Sequence, residues 1–279
     1  MGLPDFGTMT QKTSPLACLT AAFMAVAAPS LAETLSSPVL RAELIDGWQT
    51  QSGHEMAALR LVLAPGWKTY WRTPGEAGVP PRFDWAGSQN LKGVTIHWPR
   101  PEVFDLNGMR TFGYHDGLVL PIELTPGDPS APIRLKADIE LGVCKEICVP
   151  LELNLTGDIQ PGGDAVPEIR RALSDLPEQA QAAGLGAAKC SVEPIRDGMR
   201  LTTALSLPKV GPDEVTVVEL ADPTVWVSST ETVRKGGMLQ ATADLVPASA
   251  KPFALDRSSI HITIFGGNGR VVELQGCAG

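Results

Sequence analysis

Cys144 and Cys148, separated by three residues in GVCKEICVP, are the side chains of this 279-residue sequence best placed to do chemistry. A pair at this spacing can be a structural staple, a redox couple or two ligands of a soft metal ion. Structural zinc would need a second such pair, and none is present. Two thiolates suit Cu(I), with Met56 or Met109 as a further soft ligand. The four histidines, 54, 97, 115 and 261, are scattered without a metal-ligand spacing. No G-x-S-x-G, H-E-x-x-H or phosphate loop occurs, so hydrolase and nucleotide chemistry have no support, and no cofactor is implied. A net charge of −8 argues against a nucleic-acid partner.

The flanking residues say how the pair is positioned. Before the loop the apolar residues are Ile133, Leu135, Ala137, Ile139, Leu141 and Val143; after it they are Val149, Leu151, Leu153 and Leu155. All are odd-numbered. A hairpin with Cys144 opposite Cys148 therefore pairs Val143 with Val149, Leu141 with Leu151 and Ile139 with Leu153, and makes one face apolar throughout. The cysteines fall on the other face, with Lys136, Asp138, Glu140, Glu152 and Asn154. Along one strand, residues four apart would sit roughly 13 Å apart, too far for a bridge. Facing residues of a hairpin lie roughly 4.5–5.5 Å apart, inside the span a disulfide accepts. A ring this short gains less than the ~3 kcal/mol expected for a fifteen-residue ring. As a staple it contributes little, and the weight shifts toward redox chemistry.

The compartment permits such chemistry. Lys12 precedes an apolar run, LACLTAAFMAVAA, and Ser30-Leu31-Ala32 ends it in small-x-small fashion. Residues 1–32 read as a cleaved leader, too short for a membrane span. Cys18 would go with it, leaving four cysteines in an exported, most simply periplasmic chain where disulfides persist. Cys190 and Cys277 would then form a second, structural bridge.

Beyond the leader the pattern is all-β. Runs of period-two alternation, such as Leu118, Leu120, Ile122 and Leu124, are separated by APGWK, TPGEAGVPP and TPGDPSAP. Residues 33–159 read as one immunoglobulin-like sandwich and 189–279 as a second, in which IHITIFGGNGRVVEL is a hairpin. Residues 160–188 lie between them, with VPEIRRALSDLPEQAQAAGLG as a short, broken helix in a linker. Trp67, Tyr70, Trp71 and Trp85 cluster in a Pro/Gly-rich stretch, where packing is the plain role and partner docking the sharper one.

Three motifs occur in a specific order: GWKTYWRTPGEAGVPPRFDW (66–85), WPRPEVFDLNGMRTFGYHDGLVLPIEL (98–124) and LGVCKEICVPLEL. Together, over residues 38–158, they resemble the periplasmic amino-terminal domain of the disulfide reductase DsbD and the corresponding part of ScsB. The resemblance implies an immunoglobulin-like domain whose cysteine pair, here Cys144 and Cys148, relays electrons. The donor it implies is a membrane electron-transfer protein or thioredoxin-like protein; the acceptors are disulfide isomerase-like or other periplasmic thiol proteins. It also implies a cap loop that shields the pair, falling within FDLNGMRTF, with Phe104, Leu106, Met109 or Phe112 as the shield. The cysteine spacing is shorter than in DsbD. No W-C-x-x-C motif or multi-helix membrane segment is present, so either a separate membrane protein supplies the electrons or the chain works in another direction. The copper link of ScsB-like proteins keeps a Cu(I)-handling module on Cys144 and Cys148 as one alternative; a non-catalytic β-sandwich interaction protein with structural disulfides is the other.

Overall fold

A computed structural model describes Gly2 and residues 37–279 except Asn107; for Leu106 it describes the backbone alone. The expected leader, with Cys18, lies outside the described residues.

The first half of the chain forms ten strands: β1 (Val39–Gln49), β2 (Glu55–Leu63), β3 (Lys68–Gly75), β4 (Arg82–Asp84), β5 (Leu91–Ile96), β6 (Glu102–Leu106), β7 (Met109–His115), β8 (Gly117–Pro126), β9 (Ile133–Cys144) and β10 (Cys148–Ile159). They make two facing sheets, one ordered β1-β2-β8-β5 and one ordered β10-β9-β3-β7-β6, with β4 also paired to β9. The odd residues of β9 lie between the sheets. Ala137, Ile139, Leu141 and Val143 pack there on Leu59, Leu61, Leu63 and Leu120. Alternation thus did what period two requires, apolar inward and polar outward.

After α1 (Pro167–Ser174) come β11 (Glu178–Gln179), β12 (Ala187–Ile195), β13 (Gly198–Ser206), β14 (Val215–Glu219), β15 (Val225–Val227), β16 (Glu231–Lys235), β17 (Met238–Pro247), β18 (His261–Phe265) and β19 (Val271–Gln275). These form a second pair of sheets, β11-β19-β18-β14 and β12-β13-β17-β15, with β16 also on β17. The fold is all-β and sandwich-like, and the GGNG hairpin pairs as its pattern indicates, Phe265 with Val271 and Ile262 with Leu274.

The connecting segment holds one short helix and then a short strand. The helix stops at Ser174; Pro177 cannot continue it, and Glu178–Gln179 instead pair in parallel with Val272–Glu273. Ile169 of α1 is buried beside Met56 and Ala58 of the first sandwich. Residues 37–279 therefore make one compact unit. Its two sandwiches share a cluster in which Trp71, Phe112 and Tyr114 meet Val217, Phe265 and Val271. Trp71 meets Phe265 edge-on at 5.8 Å, and Phe112 stacks on Phe265 at 4.6 Å. Around this cluster Arg72 donates two hydrogen bonds of 2.9 Å to Glu219, and the Thr73 hydroxyl donates to the same carboxylate. Among the described residues no helix is long and apolar enough to cross a membrane.

Candidate redox site

The β9–β10 hairpin has the register that its alternation requires: Cys148 faces Cys144, Val149 faces Val143 and Leu151 faces Leu141. Cys144 and Cys148 are bridged, with Cα atoms 4.1 Å apart, and Lys145–Ile147 turn the chain, closed by Lys145 N–H donating to the Ile147 carbonyl at 3.1 Å. The two sulfurs are not equivalent. β10 is the edge strand, whereas β9 is covered on its other side by β3, where Lys68 pairs with Cys144 and Thr69 with Val143. Cys144 is consequently 2% exposed, while Cys148 is solvent-facing.

β3 also supplies the polar contact to the bridge. Lys68 and Tyr70, two residues apart, share the face that carries the cysteines. The Tyr70 hydroxyl donates to Cys144 Sγ at 2.9 Å and lies 3.4 Å from Cys148 Sγ. Burial pushes its pKa up, so it stays a protonated donor. Two glycines lie beside the ring and the segment that crosses it. A Cβ on Gly78 would come within 2.9 Å of Tyr70 Cδ1, and one on Gly142 within 2.8 Å of Val79 Cβ and 3.4 Å of Tyr70 Cδ2. The Gly78–Val79 segment thus lies over the tyrosine that touches the disulfide. Sequence reading placed Tyr70 among packing aromatics. The missed signal is the two-residue spacing Lys68-x-Tyr70, and it becomes meaningful only once β3 is known to neighbour β9.

The pleat sorts the four shield candidates. Lys68 pairs with His115 and Tyr70 with Gly113 across β3–β7, and Phe104 pairs with Thr111 and Leu106 with Met109 across β6–β7. Phe104 therefore lies on the disulfide face. Its ring meets His115 edge-on at 4.7 Å and lies 4.5 Å from Lys68 Nζ. Met109 is exposed near the hairpin tip, opposite the Leu106 position. Phe112 has the opposite parity: it points into the cluster shared by the two sandwiches and is 4% exposed, so it faces away from the bridge. Phe112 is a core residue, and its expectation as a shield is corrected on that ground.

Met56 is buried on the other sheet beside Ala58 and Ile169. His54 and His97 both bond Glu123, at 2.8 and 3.0 Å, and His115 bonds Glu102 at 3.0 Å. Among the described residues no group of three or more His, Cys, Asp or Glu side chains is arranged to hold a metal ion.

Cys190 and Cys277 are bridged as well, with Cα atoms 5.7 Å apart. The chain end runs beside β12: Cys190 N–H donates to the Ala278 carbonyl at 2.7 Å and Ala278 N–H to the Ala188 carbonyl at 3.0 Å. Cys190 belongs to the core of the second sandwich. This bridge joins β12 to the residues that follow β19.

Comparison with known proteins agrees with this geometry. The family described as thiol:disulfide interchange protein DsbD, N-terminal, matches residues 41–157. The crystal structure of the N-terminal periplasmic domain of ScsB from Proteus mirabilis superposes with a TM-score of 0.58 at 24% sequence identity, covering 85% of this chain and 92% of that one, and so shares its fold. No curated protein matches the chain.

Proposed function

We propose that residues 41–157, a domain of the DsbD amino-terminal family, relay reducing equivalents in the periplasm through Cys144 and Cys148. Thiol–disulfide interchange is the general chemistry of that family. The donor in this reading is a membrane electron-transfer protein or a thioredoxin-like protein, and the acceptors are other periplasmic thiol proteins, disulfide isomerase-like ones among them. The leader-like residues 1–32 and the periplasmic origin of the ScsB domain support the compartment.

The observation that carries this reading is the asymmetry of the bridge: one cysteine is exposed on an edge strand, the other buried and hydrogen-bonded by Tyr70 at the shorter distance. A donor thiolate attacks Cys148 Sγ; the Sγ–Sγ bond breaks, and Cys144 leaves with the electron pair as a thiolate. The Tyr70 hydroxyl, already pointed at Cys144 Sγ, bonds that charge. The donor's second thiolate then attacks its own partner sulfur in the mixed disulfide and releases Cys148. Two electrons have entered, the donor leaves oxidised, and both cysteines take up protons. Delivery to an acceptor disulfide runs the same steps in reverse, with Cys148 as nucleophile.

Trapping tests this. Reduced Cys144→Ser protein, which keeps Cys148, should attack thioredoxin-like proteins supplied in their disulfide form and give mixed disulfides, and Cys148→Ser protein should give few. Absence of mixed disulfides from both variants, together with a bridge in the wild type that no thioredoxin-like donor reduces, sinks the relay.

A further inference from the structure

Lys68 is a half-buried ammonium with no carboxylate partner among the described residues. Its strand neighbour on one side is Cys144 and on the other His115. Burial lowers its pKa, which is the cost of holding a charge there without a counter-ion. With the bridge closed, its ammonium rests over the Phe104 ring at 4.5 Å. A cation–π contact of this kind offsets only part of that cost.

We infer that Lys68 is the charge partner of the thiolate formed when the Cys144–Cys148 bridge opens, and that Phe104 is where its ammonium rests while the bridge is closed. The inference rests on the redox reading above and deepens it. Facing residues on paired strands lie roughly 4.5–5.5 Å apart, and lysine carries its charge on a flexible four-carbon stem. The ammonium can therefore swing from the Phe104 side of β3 to the Cys144 side without backbone movement. Other charged groups around it are accounted for. Glu102 is engaged by His115 at 3.0 Å. Lys145 and Glu146 stand exposed in the turn, with Lys145 Nζ 3.4 Å from the Pro65 carbonyl. Glu140 lies further along β9, where it pairs with Arg82 of β4. Tyr70 supplies a neutral hydrogen bond to the same sulfur. Lys68 is thus the one cation that is strand-paired with Cys144, stands on its face and lacks an anion. When the thiolate forms, the ammonium leaves Phe104, so reduction also loosens the ring's hold on the disulfide face.

The experiment uses the full chain, reduced, and needs no protein partner. The lower macroscopic thiol pKa of the Cys144–Cys148 pair is read from alkylation rate against pH, and its equilibrium constant from glutathione buffers above that pKa. Lys68→Met should raise the pKa by about one unit or more and shift the equilibrium roughly tenfold toward the bridged form, about 30 mV lower in potential. Lys68→Arg should restore both, and Lys145→Met should change neither. Phe104→Leu, which keeps the charge, should leave the pKa at or below the wild-type value and speed reduction by glutathione severalfold. The inference is overturned if Lys68→Met, folded by near-UV circular dichroism, leaves pKa and equilibrium unchanged. It is also overturned if Phe104→Leu raises the pKa as much as Lys68→Met, or if Lys145→Met causes the loss instead. Those outcomes leave the relay standing. A Lys68-dependent pKa in a protein that traps no partner would sink the relay alone.

Discussion

The two bridges close rings of very different size, and a graded reductant should open them in a fixed order. The sequence separations are 4 for Cys144–Cys148 and 87 for Cys190–Cys277. In the chain-entropy account the stabilisation grows as 1.5RT times the logarithm of ring size, so the longer ring stabilises the fold by about 2.7 kcal/mol more than the shorter one. Opening the long bridge withdraws that larger stabilisation from the fold, whereas opening the short one withdraws little. Access acts in the same direction. Cys148 is solvent-facing on an edge strand, whereas Cys190 is 4% exposed in the core of the second sandwich. The intact chain would be equilibrated in a series of redox buffers, quenched in acid, alkylated and mapped by peptide mass. The Cys144–Cys148 pair should be alkylated at a less reducing poise than Cys190–Cys277. Removing the long bridge, by Cys190→Ala with Cys277→Ala, should cost about 4–5 kcal/mol of unfolding free energy, against about 2 kcal/mol for the short one. Simultaneous opening, or any peptide joining Cys190 or Cys277 to Cys144 or Cys148, would refute the division into a staple and a switch.

Tyr70→Phe removes the donor to Cys144 Sγ; because a hydrogen bond to a charged sulfur is worth about 1.5–3 kcal/mol, the glutathione equilibrium should move tenfold or more toward the bridged form, and an unchanged constant would remove Tyr70 from the mechanism. Glu219→Gln keeps the shape of the inter-sandwich contact but withdraws the anion from half-buried Arg72, whose other carboxylate, on Glu273, is 3.8 Å away. Urea unfolding should show a loss of about 1–3 kcal/mol, and no loss would mean that the apolar cluster alone holds the sandwiches together. Glu123 carries a pH-dependent contribution: burial raises its pKa, but hydrogen bonds from His54 and His97, with their charge, more than offset this and leave it below the ordinary carboxylate value. A depressed folded-state pKa gives stability that is present above the unfolded-state value and lost as pH falls through the folded one. Glu123→Gln should therefore flatten the acid side of the urea-midpoint profile, and a profile parallel to wild type would exclude the carboxylate as its source.

Much of this site was legible from local pattern. The odd-numbered apolar residues of 133–155 determine the β9–β10 register, and the register determines that Cys144 faces Cys148 on the polar side. Period-two alternation acts between residues a few positions apart, and a one-residue slip would expose a whole apolar face; such information survives in sequence alone. The GGNG hairpin and the pairing of Cys190 with Cys277 were readable for related reasons, turn chemistry in one case and the two cysteines left over in the other. Tertiary structure alone decided the rest. Tyr70 meets Cys144 across 74 residues because β3 lies against β9, and no local rule orders strands within a sheet. The same adjacency buries Cys144 and leaves Cys148 on the edge, which makes a symmetric-looking pair chemically unequal. Phe104 and Phe112 are both aromatic in one short segment, yet opposite pleat parity sends the first to the disulfide face and the second into the inter-sandwich core. Parity was countable from sequence, but which face carried the cysteines depended on β7 joining β3, a long-range pairing whose favourable contacts exist only once the chain has closed the loop between them.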